Sequence, residues 1–391
     1  MDKGITKDIQ CFILSHVKKI LMLLMAFAVL FGCAPEKKLT RGMFQKQNKY
    51  TASMEASRSI PAVEKKEPLF YPTLPERPRL QLLYSFTEEN FREFNGGNRF
   101  FLQIKRPHDI GAAQGKIYVS DRAYKKITVI DLVLHELEQI TGDYESAGIW
   151  VTDDDYKYAA DINKKNIAVY GPDNKLVRIY DAGNEFEKPV DVAVYKNKIY
   201  VCDLNKHMIF IIDKDSGSII QSVGGVGKED GRFYKPTHVI VDREGNFYVN
   251  DFFNFRVQKF DAEGNYLKSF GYPGDTLGAL ARPKGISLDK EEHLYVVDAA
   301  FENVQIFDDR TTDLLLFFGG FGMTPGSMYL PNGIYIDYDN VWYFEKYADR
   351  DFKVKYLVYV GNTLGPIKLN IYGFGDWTGE MKKGNVNEDI K

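Results

Sequence analysis

The sequence predicts an all-β fold, a six-bladed β-propeller with four antiparallel strands in each blade. The first observation is a proline-led segment that recurs along the chain and is followed by apolar residues. The second is an acidic residue that closes an aromatic-rich run in each repeat, with successive separations of 40, 42, 48, 47 and 47 residues. A constant period in this range, with several short strands per unit, is typical of propellers.

The proline-led segments mark the start of the repeated units. They read PHDI, PVDV, PTHV, PKGI and PNGI, and begin at Pro107, Pro189, Pro236, Pro283 and Pro331. The closing acids are Asp121, Asp161, Asp203, Asp251, Asp298 and Glu345. The unit around Gly148 lacks the proline but keeps the internal spacing. Six closing acids therefore predict six blades.

One unit shows how four strands fit into each repeat. Residues 239–242 form an apolar first strand, and the aromatic run 247–251 forms the second. Residues 256–261 alternate between polar and apolar, as a half-buried third strand does, and 266–271 supply the fourth. The Gly-Asn pairs at 245–246 and 264–265 favour tight hairpin turns between these strands.

The best-preserved units resemble the NHL repeat. The resemblance rests on G-R-F-Y-K-P at 231–236, V-D-R-E-G-N-F-Y-V-N-D at 241–251 and R-V-Q-K-F-D-A-E-G at 256–264. It is close in the three C-terminal units, looser in the first three, and covers residues 79–375. It implies a six-bladed propeller of a kind used to bind protein, RNA or carbohydrate, and in some members to catalyse a reaction.

The two ends of the propeller domain, residues 79–375, predict how the ring closes. Residues 79–86 resemble a fourth strand without a blade of their own. We expect this strand to join the C-terminal blade, because closure removes exposed sheet edges. The segment 367–372 competes for the same edge. Residues 376–391 form a polar tail.

The N-terminus predicts export and a lipid anchor. Residues 1–32 contain Lys18 and Lys19, then about a dozen apolar residues, fewer than the roughly 20 that a membrane-spanning helix needs. The sequence L-F-G-C ending at Cys33 resembles a bacterial lipoprotein box, which implies a diacylglycerol thioether on Cys33 and fatty-acid chains such as palmitate. Ala34 after the cysteine implies the outer membrane in a Gram-negative cell envelope. The alternative is an ordinary signal peptide.

Composition places limits on the rest of the chain. Residues 33–78 are rich in Lys, Glu, Ser, Gln and Pro, and predict a flexible tether that cannot bury enough apolar surface to fold. The formal net charge of −3 does not indicate the basic surface that binds nucleic acid, so we expect no nucleic-acid partner. Three consecutive aspartates at 153–155 are interpreted as a solvent-exposed turn.

One column of the repeat alignment contains the candidate site. It holds Asp109, Gly148, Asp191, His238, Gly285 and Gly333. The NHL resemblance implies glycine here, near one mouth of the central channel. Asp109, Asp191 and His238 therefore form a candidate ligand site or site for a divalent metal such as Ca or Zn, and His108 adds a second imidazole from the blade opposite His238. The alternative is that these side chains bond to nearby loops. No cofactor is certain.

The acids that end the second strands are expected to be structural, because each blade needs the same cap on its turn. The sequence favours a lipid-anchored envelope protein that acts as a binding or scaffold module for a protein, peptide or glycan. The alternative is a metal-dependent hydrolase or lyase at the channel mouth. Six-bladed lactonases and the lyase half of peptide-amidating enzymes resemble such a layout, but neither complete ligand set is present.

Overall fold

The structure is a computed structural model that describes residues 67–87, 104–141 and 145–380. The predicted signal peptide, Cys33, most of the tether and the end of the polar tail lie outside the described residues. Within those ranges, no helix is both long and apolar enough to cross a membrane.

Six antiparallel sheets make up the described chain. The N-terminal strands are β1 (Phe70–Tyr71) and β2 (Leu80–Phe86). Blade 1 contains β3 (Pro107–Ala113), β4 (Lys116–Asp121), β5 (Lys126–Asp131) and β6 (Glu136–Thr141). Blade 2 contains β7 (Ser146–Val151), β8 (Lys157–Asp161), β9 (Asn166–Tyr170) and β10 (Leu176–Tyr180). Blade 3 contains β11 (Pro189–Tyr195), β12 (Lys198–Asp203), β13 (Met208–Asp213) and β14 (Ile219–Gly224).

The C-terminal half repeats this plan. Blade 4 contains β15 (Pro236–Val241), β16 (Phe247–Asp251), β17 (Arg256–Phe260) and β18 (Tyr266–Phe270). Blade 5 contains β19 (Pro283–Leu288), β20 (Leu294–Asp298), β21 (Asn303–Phe307) and β22 (Leu314–Gly319). Blade 6 contains β23 (Pro331–Asp337), β24 (Phe352–Asn362) and β25 (Leu369–Trp377). Short 3₁₀ turns lie at Ala182–Asn184, Phe252–Asn254 and Glu345–Tyr347, and one short helix, α1, at Val341–Phe344.

The first strands of the six blades lie side by side around a central axis. β3 contacts β7, β7 contacts β11, and the series continues through β15, β19 and β23 back to β3. The predicted six-bladed propeller is therefore confirmed. Each blade begins at its innermost strand, so the proline-led segments all lie at the same end of the central channel.

The closing blade takes its outer strands from the N-terminus. Its strand order is β1-β2-β25-β24-β23, and β2 pairs with β25 from Leu80 opposite Phe374 to Phe86 opposite Leu369. The expected closure by the N-terminal strand is confirmed. The segment 367–372 does not compete with it, because residues 369–372 belong to β25, one strand further in. β1 lies within the last residues of the predicted tether and adds a fifth strand.

The sequence interpretation of Glu345 is wrong. Glu345 lies in the 3₁₀ turn that follows α1, not at the end of a second strand. An insertion separates β23 from β24, and the buried rings of Tyr343 and Phe344 fix it against the core of the closing blade. The second strand of blade 6 ends instead at Asn362, which faces Pro331 and accepts a hydrogen bond from the backbone N–H of Tyr329 at 3.2 Å.

Tyrosines in the second strands tie neighbouring blades together. Tyr118 donates to the carboxylate of Asp155 in the next blade at 2.5 Å, and Tyr248 donates to Asp309 at 2.8 Å. A buried hydroxyl needs such a partner, and a neighbouring blade supplies it here. Asp155 is buried beside Lys157, so the interpretation of residues 153–155 as an exposed turn holds for Asp153 and Asp154 but is wrong for Asp155.

Candidate functional site: the channel mouth

A cavity of about 660 Å³ opens at the end of the channel where the proline-led segments lie. Residues from all six blades line it, including His108 of blade 1, Thr237 of blade 4 and Asn332 of blade 6. The walls come from the first strands, the loops before them and the turns after the second strands, which all lie at one end of the blades, so the cavity is the mouth of the central channel. We refer to this cavity as the channel mouth.

The acids at the ends of the second strands hold the loops that form the channel mouth. The backbone N–H of Arg106 donates to Asp121 at 3.0 Å, and that of Lys188 donates to Asp203 at 2.9 Å. Arg282 makes the same bond to Asp298 at 3.0 Å. The second oxygen of each carboxylate caps the turn that follows. The expectation that these acids are structural is confirmed for these three blades, and they fix the backbone that presents the mouth residues.

Asp109 and Asp191 bond to the strands of neighbouring blades. Oδ2 of Asp109 accepts the backbone N–H of Ile149 at 2.8 Å, and Oδ2 of Asp191 accepts that of Val239 at 2.8 Å. Burial raises the pKa of Asp109 to about 7, although the bonds from Ile149 and Ile110 oppose the shift. Burial, and then the charge of Asp109, also raise the pKa of Asp191 well above its usual value. Both carboxylates therefore act as links between blades.

The glycines of the same column lie where the blades approach most closely. A Cβ on Gly148 would lie 1.8 Å from Oδ1 of Asp191, and a Cβ on Gly285 would lie 2.4 Å from the carbonyl oxygen of Asn332. A Cβ on Gly333 would meet Cα of Asp109 at 2.8 Å. These positions require glycine because a neighbouring blade occupies the space that a side chain needs.

His108 and His238 meet across the channel from opposite blades. Their ring centroids are 5.9 Å apart and the rings are nearly parallel, at 16°. Burial, with a contribution from the charge of Lys284, lowers the pKa of His238 to about 3. Burial, then His238, Arg122 and Lys284, lower the pKa of His108 well below its usual value. Both imidazoles are therefore neutral near pH 7, and they form the floor of the mouth.

The predicted site residues converge, but not as a metal centre. The structure stacks His108 against His238 and places Asp109 and Asp191 beside His238 in the channel, outside the lining of the mouth. The carboxylates are occupied by backbone N–H groups, and no three His, Cys, Asp or Glu side chains of the described ranges are placed to hold a metal ion. The arrangement does not support the predicted Ca or Zn site, which needs a larger set of converging ligands.

A second cavity of about 180 Å³ lies in the channel beyond the imidazole pair. First-strand side chains such as Ile110, Val192 and Ile286 give it largely apolar walls. His238 borders both cavities, so the channel changes from polar to apolar at this residue.

Sequence analysis missed the cationic side chains around the channel mouth. Six of them line the cavity: Arg106, Arg122, Lys188, Lys235, Arg282 and Lys284. Four of these cations stand directly before the proline of a proline-led segment: Arg106, Lys188, Lys235 and Arg282. A basic residue before the proline in four repeats could have indicated this cationic rim. The pattern is visible only when the repeats are aligned and the position before the proline is compared.

Comparison with known proteins agrees with the fold. A family profile described as DUF5128, 6-bladed beta-propeller, matches residues 181–299. The chain is a six-bladed β-propeller, and its resemblance to NHL repeats is compatible with these relatives. Among solved structures, a protein of unknown function from Bacteroides thetaiotaomicron superposes with a TM-score of 0.53 at 16% identity, over 69% of this chain and 70% of the other.

Two further proteins to which the chain is similar carry the name lyase. A probable peptidyl-alpha-hydroxyglycine alpha-amidating lyase from Caenorhabditis elegans is 29% identical over 185 residues, which is 42% of this chain and 53% of the relative. The chain thus spans about half the length of this curated relative. Virginiamycin B lyase from Staphylococcus aureus superposes with a TM-score of 0.47 at 13% identity, over 70% of this chain and 82% of the other, which is too weak to support a functional inference.

Proposed function

We propose that this chain is a lipid-anchored cell-envelope propeller that binds a protein, peptide or glycan partner at the channel mouth. The observation that supports binding at this place is the 660 Å³ recess, whose walls come from all six blades. The carboxylates of Asp109 and Asp191, which metal-dependent catalysis in the channel would require, instead accept hydrogen bonds from the backbone N–H groups of Ile149 and Val239. This bonding favours a binding role over a catalytic one.

Rigidity is the physical advantage of this mouth as a binding surface. Buried acids fix the backbone before Pro107, Pro189 and Pro283, and each proline restricts the residue that precedes it. The lining side chains are therefore presented from a backbone that is already ordered. A partner that binds there loses less conformational entropy than it would on a mobile loop.

The envelope location is a separate part of the proposal, supported by the apolar segment and the L-F-G-C sequence that ends at Cys33. A thioether lipid would hold the propeller at a membrane through the 33–78 segment. Metabolic labelling with an alkyne fatty acid tests it: the full chain should be labelled, and Cys33→Ser should not. Equal labelling of the two chains, or mass spectrometry that finds an unmodified Cys33 thiol, contradicts the anchor.

Blocking the channel mouth tests the binding proposal directly. In Asn332→Trp an indole occupies the cavity without a change of charge. Asn197→Trp, in the turn between β11 and β12 at the other end of the strands, is the matched control. Partners captured from envelope extract by the wild-type chain should be retained by Asn197→Trp and lost by Asn332→Trp. Retention by both variants would place binding elsewhere.

A lyase activity is the second candidate, favoured by the curated relative that is named as an amidating lyase. The test is product formation from a peptidyl-alpha-hydroxyglycine, with and without added zinc, by wild type and by a His108→Ala, His238→Ala double variant. Turnover that the double variant lacks supports this candidate. Equal background turnover in both proteins rejects it.

A further inference from the structure

The channel mouth has a large excess of positive charge. Six cationic side chains line it, and Glu145 is the one carboxylate among the lining residues. Glu145 is already paired with Arg122 at 2.9 Å. The whole chain has a formal net charge of −3, so this concentration of cations is not a consequence of a basic composition. A recess lined by charges of one sign focuses the electrostatic potential on a ligand that enters it.

Most of these cations have no anionic or hydrogen-bonding partner among the described residues. Within the described ranges, the side chains of Arg106, Lys188, Arg282 and Lys284 take part in no hydrogen bond or ion pair. Lys235 reaches only the neutral side-chain oxygen of Asn205, at 2.9 Å. The strand-end carboxylates lie behind the loops, do not line the cavity, and are bonded to backbone N–H groups. The charge of the mouth therefore remains available to a ligand.

Lys284 shows that these cations repel one another. Its ammonium group lies 4.3 Å from the ring centroid of Phe252, on the cavity wall. Burial, and then the charges of Arg282 and Arg122, lower its pKa to about 8. An anion in the mouth would relieve this repulsion, and the gain is greater in a partly enclosed site than in open water.

A second, independent observation comes from the floor of the mouth. His238 is 3% exposed, and its Nε2 has no hydrogen-bond partner among the described residues. Nδ1 of His108, which also borders the cavity, is likewise without a partner. A buried polar atom without a partner is costly, so such atoms commonly mark a place where a ligand or water binds.

We propose that the channel mouth binds an acidic peptide segment, whose carboxylates pair with the rim cations while a polar group reaches the imidazole floor. This inference rests on the proposed function and specifies the ligand of the same site. The cations come from four blades, so they are distributed around the rim. A chain with several spaced carboxylates can reach more of them at once than a single compact anion can.

Two features favour a peptide over a nucleic acid. The six rim cations line a single recess, and the whole chain has a formal net charge of −3, whereas binding to a phosphate backbone needs an extended basic surface. Phe253 lines the mouth and packs against Tyr234 with ring centroids 5.5 Å apart, and both residues are about half exposed. These rings offer a contact for apolar side chains that flank the carboxylates.

Fluorescence anisotropy of a labelled hexaglutamate peptide, titrated with the full chain, tests the proposal. Hexaglutamine is the matched uncharged peptide. Arg282→Gln should weaken hexaglutamate binding by about tenfold or more, because it removes a charge-assisted contact. Arg310→Gln is the matched control, since Arg310 is an exposed arginine on an outer turn of the same blade. Lys284→Gln should weaken binding in the same way and serves as the second variant.

The outcomes separate the ligand class from the site. Three results would overturn the acidic-peptide proposal. Hexaglutamine could bind as tightly as hexaglutamate, or Arg282→Gln and Arg310→Gln could weaken binding equally. In the third, a single-stranded oligonucleotide or inorganic phosphate displaces the labelled hexaglutamate at a lower concentration than unlabelled hexaglutamate does. If hexaglutamate does not bind but Asn332→Trp still loses its envelope partner, the ligand class is wrong and binding at the mouth stands. If Asn332→Trp retains that partner, the proposed function itself fails.

Discussion

His108 and His238 stack across the channel, from opposite blades, with ring centroids 5.9 Å apart. Neither ring is paired with a carboxylate in the structure, and Lys284 adds a positive charge nearby. The imidazole pair therefore stays neutral, and it separates the polar mouth from the apolar part of the channel. This relationship makes the stability of the propeller depend on pH.

The first prediction follows from the pKa of about 3 for His238, against an ordinary value of 6.5. As the pH falls below 6.5, His238 becomes protonated in the unfolded chain but stays neutral in the folded chain. Protonation therefore favours the unfolded state, and the free energy of unfolding decreases. Between about pH 6.5 and about pH 5 the His238 contribution is about 2 kcal/mol. Urea unfolding of wild type and His238→Gln at both pH values measures it.

The variant should lose correspondingly less stability on acidification. Asp109 changes the free energy of unfolding in the opposite direction. Its pKa is raised to about 7, so the stability that it contributes is lost as the pH rises towards that value. Asp109 is present in both proteins, so it largely cancels in the comparison. Identical pH dependences in wild type and variant would show that His238 is not buried in a neutral form.

The second prediction concerns the tight approach of blades 2 and 3. Gly148→Ala would place a Cβ 1.8 Å from Oδ1 of Asp191 and 2.6 Å from its Cα. We expect a loss of about 3 kcal/mol or more in the free energy of unfolding, because the backbones must separate. Gly361→Ala is the control, since its nearest neighbours lie at an ordinary 3.4 Å. Thermal unfolding that affects both variants equally would contradict the geometry of the column.

The third prediction concerns a buried ion pair of blade 2, at its interface with blade 1. Lys157 is fully buried, with Nζ 3.5 Å from Oδ1 of Asp155, which also accepts from Tyr118. Asp155→Ala should cost about 3–5 kcal/mol, because it leaves the ammonium group of Lys157 buried without its counter-charge. Asp173→Ala removes an exposed aspartate paired with Lys175 in the same blade, and should leave the melting temperature nearly unchanged.

Chemical denaturation of these two aspartate variants measures the difference. A small effect of Asp155→Ala, similar to that of Asp173→Ala, would show that water reaches Lys157 and that the two blades do not enclose the pair.

The fourth prediction concerns ring closure. A chain that begins at Thr87 lacks β2 and exposes the outer edge of β25, so it should melt at a lower temperature and associate through that edge. A chain that begins at Glu67 keeps all described strands and should melt like the full-length protein. Calorimetry with size-exclusion chromatography measures both properties. Equal melting temperatures for the two shortened chains would contradict closure by the N-terminal strand.

The repeats predicted the fold because each blade is specified locally. The turn at Gly245 and the strand Phe247–Asp251 follow from short-range patterns that recur with a fixed period. Glu345 was misassigned because the position of an inserted helix coincided with the repeat spacing. Only the burial of Tyr343 and Phe344, a tertiary property, distinguishes that insertion from a strand.

The site was predictable in its position but not in its chemistry. The column alignment identified Asp109, Asp191, His108 and His238, and the structure brings the two histidines together. The roles of the carboxylates depend on which backbone N–H groups face them across a blade interface, such as that of Ile149, and no sequence pattern states this. The cationic rim was missed because its members are far apart in sequence and become neighbours only when the ring closes.

Site-specific photo-crosslinking shows directly whether partners bind at the channel mouth. A benzoylphenylalanine is placed at Asn332 in the mouth or at Leu176 on the exposed outer strand of blade 2, in full-length protein expressed in its native envelope. We expect a discrete cross-linked product from position 332 and none from position 176. Products from position 176 with none from position 332 would show that partners bind elsewhere on the propeller.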